Sequence, residues 1–194
     1  MRICLLVAVV FAGLTASSAN AHAAHIYLLK GLANIFSTGL DVLHDELVQR
    51  GFHNSTVESY TDYDSLAVEA ATLEKKGQGP IIIIGHSLGA NAAILMAQKM
   101  NALHAPVALI VSFGPTLNVA VPSNVERCVN YYTGDFAIRR GSGFKGTLTN
   151  VDFTSDPDIN HLNIEKVESL HRIVIAKIQA ILPRDRAGGP APVH

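Results

Sequence analysis

Residues 80–90 read Pro-Ile-Ile-Ile-Ile-Gly-His-Ser-Leu-Gly-Ala, and this stretch decides the fold. Its four consecutive isoleucines predict a strand over residues 80–84 that is buried on both faces, as at the centre of a parallel sheet. The Ala-rich segment 88–100 predicts a helix that follows at once. Ser87, between Gly85 and Gly89, therefore lies on a sharp strand-to-helix turn that exposes its hydroxyl above the sheet edge.

The rest of the chain continues this alternation of strands and helices. Apolar spacing predicts helices over residues 38–50, 65–76 and 164–182, with Asp64 as the N-cap of the second. Apolar or β-branched runs predict strands over residues 25–29, 55–60, 107–112, 125–132 and 148–153. We therefore expect an α/β protein with a mostly parallel central sheet, flanked by helices on both faces. The segment 114–124 is too short to form a large cap domain.

Composition limits the possible functions. The chain has 194 residues, of which 48% are hydrophobic and 16% charged, so it contains enough apolar side chain for one globular domain. The formal net charge is −1, so the chain has no excess of positive charge that would favour nucleic-acid binding. Cys128 lies in a predicted strand. We therefore expect it to be a small buried side chain rather than a reactive thiol.

The first 21 residues resemble a secretory signal peptide. Arg2 precedes an apolar run that is too short to span a membrane comfortably, and Ala19-Asn20-Ala21 has the small-residue pattern of a cleavage site. We expect cleavage after Ala21, with Ala23 as the alternative, and export to the periplasm or the medium without stable membrane insertion. Residues 22–183 would form one globular domain, expected to be monomeric, and residues 184–194 a disordered tail.

A serine nucleophile needs a base, and four histidines follow Ser87 in the sequence. His104 lies at the wrong end of the predicted sheet, His171 is inside the last helix, and His194 is in the tail. His161 lies in the loop between the last strand and the last helix. This loop is at the same edge of the sheet as Ser87, so His161 is the predicted general base.

The sequence leaves several candidates for the carboxylate that orients the base. Asp135 follows the predicted strand 125–132 and is one strand upstream of His161, which makes it the favoured acid. Asp156 and Asp158 precede His161 closely, and Asp152 lies in a strand. These three remain alternatives, although aspartates so close to a loop histidine more often form turns.

Backbone amides are expected to stabilise the oxyanion of the reaction. The amide of Leu88 lies at a helix N-terminus, which favours negative charge. A second donor is expected in the loop after the first strand, where Gly31 allows a close approach; Leu32 is favoured and Ala33 is the alternative. No Cys/His cluster has zinc spacing, and this chemistry needs no metal or organic cofactor.

Gly85-His86-Ser87-Leu88-Gly89, followed in order by Asp135 and His161, resembles the α/β-hydrolase superfamily. The likeness covers nearly the whole mature chain and is greatest to the minimal, lidless bacterial lipases and esterases. It implies hydrolysis of a small-molecule or lipid carboxylic ester through an acyl-enzyme on Ser87. A thioesterase, an amidase or a non-catalytic binding protein on the same scaffold are the alternatives. Lys30-Gly31 replaces the usual His-Gly of the oxyanion loop, and Phe36, Phe113 and Leu117 are candidates for the acyl pocket.

Overall fold

A six-stranded, entirely parallel sheet forms the centre of the computed structural model, which describes residues 24–32 and 38–182. The strands are β1 His25–Lys30, β2 Ser55–Ser59, β3 Ile81–His86, β4 Leu109–Phe113, β6 Arg127–Tyr132 and β8 Thr147–Asp152. Their order in the sheet is β2-β1-β3-β4-β6-β8. Two short strands, β5 Ala120–Val121 and β7 Arg139–Arg140, pair with each other in a separate sheet.

Helices cover both faces of the central sheet. They are α1 Thr38–Gln49, α2 Tyr63–Lys75, α3 Leu88–Ala102 and α4 Glu168–Gln179. Buried side chains of α2 and α3 form one apolar cluster with one face of the sheet, and those of α1 and α4 form a second cluster with the other face. The predicted α/β architecture with helices on both faces is therefore confirmed.

The strand β3 shows why the isoleucine run specifies the centre of the sheet. Ile81 and Ile83 face the cluster of α2 and α3, whereas Ile82 and Ile84 face the cluster of α1 and α4, and all four are fully buried. Each side chain removed from water in this way contributes roughly 1.5–3 kcal/mol to folding. With β3 between β1 and β4 and α3 directly after it, the chain has the α/β-hydrolase fold, and no helix lies between Phe113 and Arg127.

Two predicted helices have different boundaries in the structure. The second begins at Tyr63, because a 3-10 turn over Tyr60–Asp62, capped by the Ser59 hydroxyl, runs directly into it. Asp64 is therefore not the N-cap but lies in the first turn, where its carboxylate is 2.9 Å from the Lys99 ammonium. The last predicted helix is interrupted by the extended backbone of Val167, which separates a 3-10 turn over Ile164–Lys166 from α4.

The environment of Cys128 agrees with its predicted role. The side chain is buried in the core, and this burial raises the pKa of its thiol to about 12, so its role as a packing residue is confirmed.

In the described part of the chain, no helix has the length and apolar character needed to cross a membrane. The predicted signal peptide and tail, together with Ala33 and Phe36, lie outside the described residues.

Candidate active site

The backbone of Ser87 has the strained geometry expected for an exposed nucleophile. Its φ of 58° and ψ of −122° are angles that a residue with a side chain rarely adopts. The Ser87 amide donates a hydrogen bond to the Phe113 carbonyl at 3.0 Å. The Ser87 carbonyl in turn accepts from the Ala90 amide at 3.0 Å, in the first turn of α3. The turn is therefore held by the neighbouring strand β4, and Ser87 lies at the carboxyl end of β3, one of the two central strands.

The two glycines of the motif allow β3 and α3 to lie this close together. A Cβ atom at Gly85 would clash with the carbonyl oxygen of Gly89, and one at Gly89 would clash with the carbonyl oxygen of Leu29. Backbone atoms cannot move aside as a flexible side chain can. The spacing of Gly85 and Gly89 around Ser87 is therefore a packing requirement of the turn.

The loop after β1 approaches the nucleophile closely at Gly31. A Cβ atom there would be 3.0 Å from both the His86 carbonyl oxygen and the Ser87 Cβ, and 3.4 Å from the Leu88 amide nitrogen. Leu32 follows directly, with 61% of its surface exposed. The structure thus places the loop that carries Leu32, one predicted oxyanion donor, against the N-terminus of α3, which carries Leu88, the other predicted donor.

His161 lies within hydrogen-bond distance of Ser87. Its Nε2 atom is 3.0 Å from the Ser87 Oγ, although the two residues are 74 positions apart in the sequence. The half-buried imidazole lies in the loop between β8 and the 3-10 turn that precedes α4. Burial lowers the pKa of His161 and so favours the neutral ring, which is the form that can accept a proton.

The other side of the His161 ring faces Gly114. This glycine has a φ of +54°, and a Cβ atom there would be only 2.9 Å from the Nδ1 atom of His161. Gly114 ends β4 with a hydrogen bond from its amide to the Tyr131 carbonyl at 2.7 Å. A side chain at this position would therefore compete with the imidazole for space.

His86, the variable residue of the pentapeptide, contacts the His161 loop directly. Its Nε2 atom is 2.8 Å from the backbone carbonyl oxygen of His161, and the centroids of the two rings are 5.3 Å apart. Because a carbonyl can only accept, His86 carries its proton on Nε2. The sequence pattern did not indicate that His86 contacts the His161 loop. The one available signal was that a polar residue precedes the nucleophile.

Glu165 is a fully buried carboxyl group behind this pair. One of its oxygens is 3.9 Å from the Nδ1 atom of His86. Burial raises the pKa of Glu165 to about 7 and lowers that of His86 to about 4. Burial therefore favours the neutral form of both side chains.

None of the candidate acids contacts His161 among the described residues. Asp135 is exposed in the loop after β6, where its charge is a minor contributor to the raised pKa of Tyr132, behind burial and Asp152. The Asp152 carboxylate accepts hydrogen bonds from the backbone and side chain of Thr154, and that of Asp156 accepts one from the Asp158 amide. Asp152 and Asp156 thus act as turn formers, and Asp158 is exposed.

The remaining site predictions have mixed outcomes. Phe113 is wholly buried and stacks on Tyr131 at 5.4 Å between centroids, so it belongs to the core rather than to an open pocket. Leu117 is exposed. His104 lies beyond the far end of α3, and the Nε2 atom of the buried His171 lies 2.7 Å from the Glu165 carbonyl. In the described ranges, no group of three His, Cys, Asp or Glu side chains could hold a metal ion.

No protein-family model matches the sequence, and no similar sequence was found among curated proteins. Among solved structures, the chain is similar to one assigned to the alpha/beta superfamily of hydrolases, from Xanthomonas campestris pv. campestris. The identity is 15%, the match covers 81% of this chain and 99% of the other, and the TM-score is 0.48. It is also similar to an iodinated complex of acetyl xylan esterase, with 13% identity, coverage of 81% and 98%, and a TM-score of 0.44. Likenesses this distant carry no weight for the chemistry, which rests on the geometry of the chain itself.

Proposed function

We propose that this protein is a serine hydrolase that cleaves carboxylic esters through an acyl-enzyme on Ser87. The distance of 3.0 Å between the His161 Nε2 and the Ser87 Oγ supports this most directly. A serine hydroxyl becomes a useful nucleophile when an adjacent base accepts its proton. The strained backbone of Ser87, at the end of β3, supports the same role because residues with strain of this kind cluster at active sites.

In the proposed reaction, the Ser87 Oγ attacks the ester carbonyl carbon while His161 Nε2 takes the hydroxyl proton. The tetrahedral oxyanion would be stabilised by the Leu88 amide at the start of α3 and by the Leu32 amide. His161 then gives its proton to the leaving alcohol as the carbon–oxygen bond breaks. A water molecule, activated by the same imidazole, attacks the acyl-enzyme and releases the carboxylic acid.

Asp135 remains the proposed orienting carboxylate. Its position after β6 supports this role, because β6 and β8 are adjacent and their carboxyl ends share the sheet edge with His161. Asp152 and Asp156 are less suitable, because their oxygens already accept hydrogen bonds in local turns.

Hydrolysis of p-nitrophenyl acetate by the purified chain tests the proposal. Ser87→Ala should reduce turnover at least about a thousandfold, because the covalent step is lost. Ser123→Ala is the matched control, because Ser123 is an exposed serine whose hydroxyl contacts Asn101, away from the site. Turnover retained by Ser87→Ala would refute the proposal, and parallel thioester and anilide substrates would separate an esterase from a thioesterase or an amidase.

A further inference from the structure

The segment that carries the candidate base lies against both ring nitrogens of His86. The His161 carbonyl accepts a hydrogen bond from the Nε2 atom of this ring at 2.8 Å. Further along the same segment, the Oε1 atom of Glu165 lies 3.9 Å from the Nδ1 atom of the ring. His86 is the last residue of β3 and directly precedes Ser87. The segment 161–165 is therefore built onto the strand that carries the nucleophile.

Glu165 is the only carboxyl group that is buried in the described part of the chain. Its backbone lies in the 3-10 turn Ile164–Lys166, and its carbonyl oxygen is 2.7 Å from the Nε2 atom of His171 in α4. Its Oε2 atom lies against Gly39 near the start of α1, where a Cβ atom would clash with it. The side chain is thus enclosed by α1, α4 and β3, with its Oε1 atom on the side of His86.

The proposed reaction does not use this carboxyl group, and its surroundings favour the neutral acid. No described residue forms a hydrogen bond with either carboxyl oxygen of Glu165. A carboxylate here would lose its hydration without gaining donors in return. Burial accordingly raises the pKa of Glu165, and the Lys166 charge and the nearby Gly39 amide lower it by less. The neutral acid carries an O–H donor, which a carboxylate lacks.

His86 presents the acceptor that matches this donor. Burial lowers the pKa of the ring and so favours its neutral form, with the proton on the Nε2 atom that donates to the His161 carbonyl. In that tautomer the Nδ1 atom is an acceptor. The distance of 3.9 Å to Glu165 exceeds that of a hydrogen bond by roughly 1 Å. Because the carboxyl oxygens hold no other hydrogen bond, a side-chain rotation that closes this gap breaks none.

We propose that Glu165 is a positioning residue that acts on the candidate base through His86. As a carboxylic acid, it donates a hydrogen bond to the Nδ1 atom of His86 and so keeps the proton of that ring on Nε2. The Nε2 proton then stays available to the His161 carbonyl, and the loop of the base keeps its place beside Ser87. The inference rests on the proposed function of Ser87. Asp135 has a different role, because it would act on the imidazole of the base itself.

Removing the donor of Glu165 is the first test. Glu165→Met keeps an unbranched, adaptable side chain without an O–H group, so the variant should fold. Its kcat with p-nitrophenyl acetate should fall about tenfold with little change in KM, because the base is misplaced while substrate contacts are kept. Glu165→Gln supplies an N–H donor instead and should recover most of this loss. An equal loss in both variants, or no loss in Glu165→Met, would overturn the proposal.

Glu46→Met is the matched control. The Glu46 carboxyl also faces a buried histidine, with 3.7 Å between its Oε1 atom and the Nδ1 atom of His171. That histidine contacts the Glu165 carbonyl rather than the carbonyl of the base. The same substitution at Glu46 should therefore leave kcat within about twofold of the unmodified protein. A tenfold loss there as well would show a general effect of carboxyl removal and would contradict a specific role of Glu165.

A double-variant cycle tests whether Glu165 acts through His86. If it does, Glu165→Met should have little further effect in the His86→Phe background, and the double variant should keep about the kcat of His86→Phe alone. Independent effects of about tenfold each would instead multiply to about a hundredfold loss. A loss of that size would contradict the proposed path through His86.

Solution NMR of the full chain with labelled histidine nitrogens keeps the inference testable even if no ester is hydrolysed. At about pH 6, between the pKa values of His86 and Glu165, the His86 signals should show an unprotonated Nδ1 atom and a protonated Nε2 atom. His86→Phe identifies these signals by their loss. The Nδ1 signal should shift strongly in Glu165→Met and much less in Glu165→Gln, because only the first variant lacks a donor.

The NMR and kinetic results separate the two proposals. A protonated Nδ1 atom in the unmodified protein, or an Nδ1 signal that is the same in all the Glu165 variants, would overturn the role of Glu165. Absence of ester turnover together with the expected Nδ1 signals would contradict the proposed function of Ser87 alone.

Discussion

The Nε2 atom of His86 donates a hydrogen bond to the backbone carbonyl of His161 at 2.8 Å. This bond joins the residue before the nucleophile to the residue proposed as its base, across 75 positions of sequence. His86 is fixed by β3 at the centre of the sheet, whereas His161 lies in a loop. The bond therefore holds the loop of the base relative to the rigid strand that carries Ser87.

Replacing His86 by Phe should impair catalysis beyond its effect on stability. An aromatic ring is retained, but the His161 carbonyl loses its donor, so the imidazole is less well positioned for Ser87. We expect kcat to fall about tenfold, because small misplacements of catalytic groups have effects of this order or larger. The free energy of unfolding should fall by about 1–3 kcal/mol.

His171→Phe is the control for the His86 variant. His171 is also buried, and its Nε2 atom likewise contacts a backbone carbonyl, that of Glu165, at 2.7 Å. The two variants should lose similar stability in chemical denaturation, and only His86→Phe should lose kcat to this degree. Equal kcat values for both would show that His86 has a structural role only.

Gly114→Ala should displace the His161 ring. The added Cβ would lie 2.9 Å from Nδ1, and it would belong to a residue with a φ of +54°. We expect kcat with p-nitrophenyl acetate to fall at least about tenfold. Gly77→Ala separates this contact from backbone strain, because Gly77 has a φ of +70° and a Cβ atom added there would have no neighbour within 4 Å. Both variants should lose about 1–2 kcal/mol of stability, and a normal kcat in Gly114→Ala would contradict the steric explanation.

The acid limb of the pH–rate profile should report His161. The base must be neutral to accept the Ser87 proton, and burial lowers the pKa of His161 below its usual value of about 6.5. Activity should therefore be retained at pH 6.5 and should decline as the pH falls through the lowered pKa, by about tenfold per pH unit below it. The profile of kcat/KM for p-nitrophenyl acetate measures this directly. A midpoint at or above pH 6.5 would show that the ring is not desolvated as the structure indicates.

Asp135→Asn tests the proposed orienting carboxylate. If Asp135 stabilises the imidazolium that forms on His161, kcat should fall by about a hundredfold or more while KM changes little. Asp158→Asn is the comparison, since Asp158 is an exposed aspartate in the loop just before His161 and the alternative acid whose carboxylate has no turn role; its kcat should remain within about twofold. If both variants keep full activity, Asp135 does not act as the acid.

The sequence was sufficient for the parts of the site that local chemistry determines. The turn at Ser87 was predicted from the isoleucine run, the glycines at 85 and 89 and the order of strands. Few residue types other than these are compatible with a strand buried on both faces and with the close packing of strand and helix at the turn. His161 could be selected among four histidines because only one lies after a strand at the right sheet edge. These inferences need the order of the elements but no side-chain coordinates.

Other features depend on contacts that the sequence does not reveal. The His86 bond and the approach of Gly114 to His161 join loops from different strands, and neither pairing is visible from spacing alone. The apolar pattern of residues 164–182 continues through Val167, so the break before α4 was not apparent. The residue type of Asp64 favours a cap, but the 3-10 turn before α2 runs directly into the helix, which therefore begins at Tyr63.

Covalent labelling of the full chain with a fluorophosphonate tests the central claim most directly. The reagent forms a bond with a serine oxygen only where a base and an oxyanion site activate it. Peptide mass spectrometry should find the adduct on Ser87 and on no other serine, and His161→Ala should slow the labelling at least about a hundredfold. No adduct at Ser87, under conditions in which a known esterase is fully labelled, would contradict the proposed serine hydrolase.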